Sequence, residues 1–159
     1  MTCLVALRHG RGALIGADSA CSDGATTIRS RKYVVSRSVG AIFAGKYVAV
    51  GQLLQQRHRT PRAWAEAAIA VGVDGFAISF TECVGWDGKA IWPVSEYAAL
   101  GSGSDLAIGA MHALRAHRFS PRAALLGGLR AAGTHSTDCI GPYAIISATK
   151  SGVRVRIVR

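Results

Sequence analysis

Acidic residues, aromatics and cysteines are all scarce in this chain, and long apolar runs are missing. Nine Asp and Glu stand against 19 Lys and Arg, a formal net charge of +10. A cationic surplus raises nucleic-acid binding as a class, because clustered Lys and Arg neutralise phosphates and release counterions. The cations here are scattered in small groups such as Arg8/Arg11, Arg57/Arg59/Arg62 and Arg154/Arg156/Arg159. No aromatic side chains interleave with them to make a stacking platform, so a generally basic surface and no nucleic-acid partner are expected. No apolar stretch reaches the roughly 18 to 20 residues of a membrane helix, and no charged segment followed by an apolar one opens the chain. The expectation is no membrane partner and a cytoplasmic protein. Cys3, Cys21, Cys83 and Cys139 lie far apart without a C-x-x-C pair. That excludes a small disulfide scaffold and fits reduced thiols.

Several catalytic signatures are missing as well. There is no G-x-S-x-G elbow, and "GSGSD" at 101–105 lacks the G-K-[ST] that completes a nucleotide loop. His112 and His117 are five apart, which does not place both on one helix face for a metal. His135, Ser136 and Asp138 supply triad residue types, yet adjacency in sequence is not triad geometry.

What is present reads as one domain over residues 1–159, half of it apolar and so long enough for one core. Residues 2–8 and 12–17 form a first hairpin, and Tyr33–Ser36 with Val39–Phe43 a second. The apolar period then changes: "YVAVGQLLQQR" (47–57) and "PRAWAEAAIAVG" (61–72), the latter with Thr60 as cap and Pro61 at its first position, predict two helices. "GFAISFTECVGWDGKAIWPV" is a hairpin turning at Trp86-Asp87-Gly88. Ser102–Arg118 and the Ser120-capped "SPRAALLGGLRAAG" predict a second helix pair, and residues 142–158 a closing hairpin around Lys150-Ser151-Gly152. Hairpins alternating with two helix pairs predict an α+β fold, a four-layer αββα sandwich.

A hairpin returns to the end from which it left. Thr2, before the first strand, and Asp18, after the second, therefore share one sheet edge, and Lys32 opens the next hairpin within reach of it. A hydroxyl, a carboxylate and an ammonium would converge there. A threonine hydroxyl is a poor nucleophile until a base takes its proton, and a free α-amine, with a reference pKa of about 7.7 to 8.0, is such a base. Only an N-terminal threonine carries both groups. Lys32 would favour loss of the hydroxyl proton, and Asp18 would hold the ammonium in place.

"TCLVALRHGRGALIGADSA", Lys32, "IFAGK" and "EYAALGSGSDLAIGAM" together resemble the proteasome β-subunit family. The length resembles its HslV-type peptidases, and a short bacterial proteasome homologue is the nearest form, with no propeptide beyond Met1. The resemblance covers nearly the whole chain. It implies an N-terminal nucleophile hydrolase assembled as stacked six- or sevenfold rings, twelve or fourteen subunits enclosing the active sites. Unfolded polypeptides would be its substrates, and an ATP-dependent unfoldase a partner. Thr2 matches the nucleophile, Asp18 and Lys32 its supporting pair, Gly45 the oxyanion-hole N–H donor, and Ser102 the serine that bonds the α-amine. Cys21, Phe43 and Tyr47 match the first specificity pocket, which the two large rings would make shallow or aromatic. Gly133, Ser136 and Cys139 match three backbone carbonyls that hold a monovalent or divalent cation in relatives; no other cofactor is implied.

The chain also departs from the pattern. The segment from Lys32 to Gly45 is a residue or two shorter than in relatives, which leaves Arg29 and Arg31 as competitors for the lysine's place. Ser136 replaces an aspartate and Cys139 a serine of proteasome subunits. A second reading, a catalytically inactive ring of the same shape acting as a scaffold or binding protein, stays open on the sequence.

Overall fold

The computed structural model describes residues 2–10, 12–22, 27–44, 64–72, 77–84, 90–94, 96–137 and 139–159. Two five-stranded sheets dominate. The first has the order β10-β1-β2-β11-β12 and is antiparallel throughout: β1 is Leu4–His9, β2 Gly12–Ala17, β10 Tyr97–Leu100, β11 Tyr143–Thr149 and β12 Gly152–Val158. The second is a meander of β5 (Tyr33–Val35), β6 (Val39–Ala44), β7 (Trp64–Gly72), β8 (Ala77–Val84) and β9 (Ala90–Pro93). A small ribbon, β3 (Ala20–Ser22) with β4 (Thr27–Arg29), links them. Helices α1 (Ser104–Ala116) and α2 (Pro121–His135) pack on the first sheet.

The first sheet is covered on both faces, which is why β1 and β2 read as continuous apolar runs without alternation of polarity. Successive side chains still point to opposite faces. Val5, Leu7, Leu14 and Ile145 meet Met111, Leu125 and Leu129 of the helices. Leu4, Ala6, Ile15 and Ile146 meet Ile42, Ile69 and Val71 of the second sheet. Gly16 is glycine for a packing reason: a Cβ there would stand 2.8 Å from Leu125 and 2.9 Å from Leu129. Helix α2 starts as its sequence dictates, with the Ser120 hydroxyl accepting from the Ala123 N–H at 3.2 Å and Pro121 in the first turn.

One expectation is overturned. The segment 61–72, predicted helical, carries β7 over Trp64–Gly72, paired to β6 through Ile42↔Ile69 and to β8 through Ile69↔Ser79. Its alanines favour helix intrinsically. Ile69 and Val71, two residues apart, are nevertheless both buried between the sheets, and that period-2 burial decides the outcome. The predicted helix 47–57 lies outside the described residues. Among the described residues the layers are therefore helix pair, sheet and sheet.

Candidate functional site

The β1–β2 register sets the site. Leu4 pairs with Ala17, and the ladder continues one step further: the Asp18 N–H donates to the Cys3 carbonyl at 3.2 Å. The Cys3 N–H donates back to Asp18 Oδ1 at 2.9 Å, and the Ala20 N–H donates to Oδ2 at 2.8 Å. Asp18 is thus clamped by two backbone donors from different segments while only 2% exposed. Thr2 is held beside it, before the strand begins.

Lys32 comes from the other sheet. Its carbonyl accepts from the Phe43 N–H at 3.1 Å, immediately ahead of the Tyr33↔Ile42 pair, so its backbone is fixed at the start of β5. Its buried ammonium donates to Thr2 Oγ1 at 2.5 Å and to Asp18 Oδ1 at 3.0 Å. An ammonium so close to a hydroxyl favours the alkoxide over the alcohol. Arg29 and Arg31, the competitors for this place, are exposed; Arg31 stacks 4.4 Å above the Tyr33 ring and donates to the Tyr33 carbonyl at 3.2 Å.

The turn between β10 and α1 closes on Thr2 from the other side. Gly101 has φ +95°, and a Cβ there would collide with the Thr2 carbonyl oxygen, so only glycine permits this approach. Ser102, expected near the α-amine, is therefore in a turn that touches Thr2. Its side chain is one of the groups that lower the Cys139 thiol. Ser19 clasps the remote chain: its N–H and hydroxyl both donate to the Ile140 carbonyl, at 2.9 and 3.1 Å.

Behind Thr2, on the helix side, Cys3 and Cys139 are fully buried in one apolar cluster, and each shifts the other's titration. Cys3, together with Ser136 and Ser102, pulls the Cys139 thiol down to about 7, against burial and the Asp18 charge. Cys139 in turn, reinforced by burial, pushes Cys3 up.

Other expected residues are dispersed. Cys21 is half-buried in β3 and Phe43 is buried in β6. A cavity of about 280 Å³ opens beside Asp18, Ser19, Arg29, Arg31, Lys32 and Tyr33, and neither Cys21 nor Phe43 lines it. Gly45 and Tyr47 lie outside the described residues. Gly133, Ser136 and Cys139 share the end of α2: a Cβ on Gly133 would stand 3.2 Å from the Cys139 carbonyl oxygen. The Ser136 carbonyl already accepts from the Cys139 N–H at 3.3 Å. Among the described residues no group of three His, Cys, Asp or Glu side chains is placed to hold a metal ion. His112 packs edge-on against Tyr97 at 6.3 Å, a packing role.

Sequence reasoning missed Gly101, Ser19 and the thiol pair. The glycine has a signal, its place just ahead of the helix start. The pair has none, because only the fold brings residues 3 and 139 together.

No protein-family model matches this chain, and no curated protein does. Among solved structures, the chain is similar to Thiobacillus denitrificans BPH in complex with epoxomicin, at TM-score 0.72 and 16% identity, over 94% of this chain and 99% of that one. A second structure of Thiobacillus denitrificans BPH matches at TM-score 0.71 and 16% identity, over 94% and 98%. The likeness shows a shared fold. No helix among the described residues is long and apolar enough to cross a membrane.

Proposed function

We propose that this chain is an N-terminal threonine peptidase that hydrolyses peptide bonds of unfolded polypeptides inside a chamber built from stacked rings of its own copies. The observation that carries this reading is the placement of the Lys32 ammonium 2.5 Å from Thr2 Oγ1, with Asp18 holding that ammonium from behind. The matched solved structure with epoxomicin, a peptide epoxyketone, adds support, since such compounds react with a threonine that carries both a hydroxyl and a free amine.

Removal of Met1 is the enabling step. While Met1 is attached, the Thr2 nitrogen is an amide without a basic lone pair. Once freed, the amine takes the hydroxyl proton and Lys32 stabilises the alkoxide as it attacks the scissile carbonyl. The Gly45 N–H is the proposed oxyanion donor. The amine portion of the substrate leaves with a proton, an ester to Thr2 remains, and a water activated by the same amine releases the acid. The α+β sandwich, the cytoplasmic setting, the feeding unfoldase and the cation at the α2 end belong to the same proposal.

Treatment of the processed protein with epoxomicin, followed by intact-mass analysis, tests it. One adduct per chain on Thr2 is expected, and Thr2→Ala should abolish both the adduct and cleavage of fluorogenic peptides without unfolding the chain. Protein that has lost Met1 yet takes no adduct would support the inactive-ring reading instead.

A further inference from the structure

Cys3, one residue beyond Thr2, and Cys139 are both buried free cysteines. Both are fully buried in the cluster between the first sheet and the helices. Both crowd Gly103, where an added Cβ would stand 2.9 Å from the Cys139 sulfur and 3.2 Å from the Cys3 Cβ, so the two cysteines lie within a few ångströms of one another. Cys3 also donates its N–H to Asp18, the carboxylate that holds Lys32. Whatever moves Cys3 moves the residue before it and the clamp on that carboxylate.

We propose that Cys3 and Cys139 are an oxidative modification site: a two-electron oxidant such as hydrogen peroxide joins them in a reversible disulfide that displaces Thr2 from Lys32. The Cys139 sulfur reacts first, because the Cys3 thiol, Ser136 and Ser102 stabilise its thiolate. The thiolate attacks one peroxide oxygen, the O–O bond breaks, and the sulfur is left as a sulfenic acid while the other oxygen leaves as hydroxide and takes up the proton released by the Cys139 thiol to become water. The Cys3 sulfur then displaces the sulfenic hydroxyl, which takes up the Cys3 proton and leaves as a second water. Two thiols and one peroxide become one disulfide and two waters. A dithiol reductant reverses the reaction, and a reducing cytosol keeps the pair open until peroxide appears.

The bond has geometric consequences. A disulfide holds its Cβ atoms about 3.5–4.5 Å apart. Closing it draws Cys3 toward the helix side, whereas the Thr2 side chain reaches its partners on the opposite face, since neighbouring residues of a strand point opposite ways. The groups facing Cys139 besides Cys3, Ser136 and Ser102 are Asp18 and Tyr143; the Asp18 charge opposes the thiolate, and Tyr143 is itself pushed up by burial and by Asp18.

The test uses the full chain with Met1 removed. Hydrogen peroxide is applied and quenched, free thiols are alkylated after unfolding, and the digest is mapped by mass spectrometry. The expected product is a peptide pair joined through Cys3 and Cys139, two hydrogens lighter than the separate peptides and split again by dithiothreitol. Epoxomicin labelling of Thr2 should fall about tenfold or more on oxidation and return on reduction, since a displacement near 1 Å can cost 10²-fold. Cys139→Ser and Cys3→Ala should each form no such pair and keep, after peroxide, whatever labelling they show before it. Both cysteines alkylated after peroxide, or Cys139 found only as a sulfinic acid, overturns the proposal, and so does a disulfide that leaves labelling unchanged. The displacement of Thr2 rests on the threonine-peptidase reading. The disulfide map is read without any catalysis, so reduced protein that takes no epoxomicin would defeat that reading while leaving the disulfide to be judged separately.

Discussion

The two faces of β1 carry opposite kinds of chemistry. Thr2, Leu4 and Ala6 lie on the face toward the second sheet, where Lys32 and Asp18 form a buried ion pair around the hydroxyl. Cys3, Val5 and Leu7 lie on the face toward the helices, where the polar group is a soft thiol pair set in an apolar core. The ionic face tolerates burial because every charge has partners: Asp18 accepts from two backbone donors and an ammonium. The thiol face needs less, since sulfur loses little on desolvation. Polarity on the first face holds the Thr2 hydroxyl, and on the second it tunes a sulfur.

The sharpest way to break this comparison is Lys32→Met, which keeps the length of the side chain and removes its charge. Asp18 then loses its cation inside the protein, and the chain should lose about 3–5 kcal/mol of stability along with Thr2 labelling. A denaturant midpoint that barely moves would mean the ion pair is not what holds the ionic face. Gly101→Ala strikes the main chain that both faces share. Its left-handed backbone and the collision with the Thr2 carbonyl should cost about 1–3 kcal/mol, with epoxomicin labelling reduced even where the protein remains folded. The smallest effect belongs to the thiol face. Ser136→Ala removes one of the side chains that lower the Cys139 thiol and should cost about 1 kcal/mol or less in stability. Its clearer signature is in pH. In the parent the rate of peroxide oxidation should climb as pH rises through about 7 and then level off, because the thiolate is the reacting form. In the variant that rise should move toward higher pH.

Much of the ionic face was legible in the sequence. Hairpin geometry alone brings Thr2 and Asp18 to one edge, and Lys32 opens the next hairpin within reach of them. The choice of Lys32 over Arg29 and Arg31 was not legible, since it depends on which residue precedes the Tyr33↔Ile42 pair and points inward. The helices α1 and α2 were legible from period and caps. β7 was not, because alanine-rich stretches carry little period of their own and the second sheet imposed its pairing on Ile69 and Val71. The thiol face was hidden for a simpler reason. Its two sulfurs are separated by nearly the whole chain, and no local pattern records a contact of that range.

The hold of Ser19 on the Ile140 carbonyl, with β11 pairing to β2 alongside it, has a meaning in time. The segment that carries Asp18 cannot be fastened until residues beyond 140 have left the ribosome, roughly ten to thirty seconds after Thr2 at ordinary rates of synthesis. Throughout that interval Thr2 is present while its surroundings are unfinished. On the threonine-peptidase reading proposed above, the chain then needs no separate inhibitor while its own nascent chain, an unfolded polypeptide, lies close at hand.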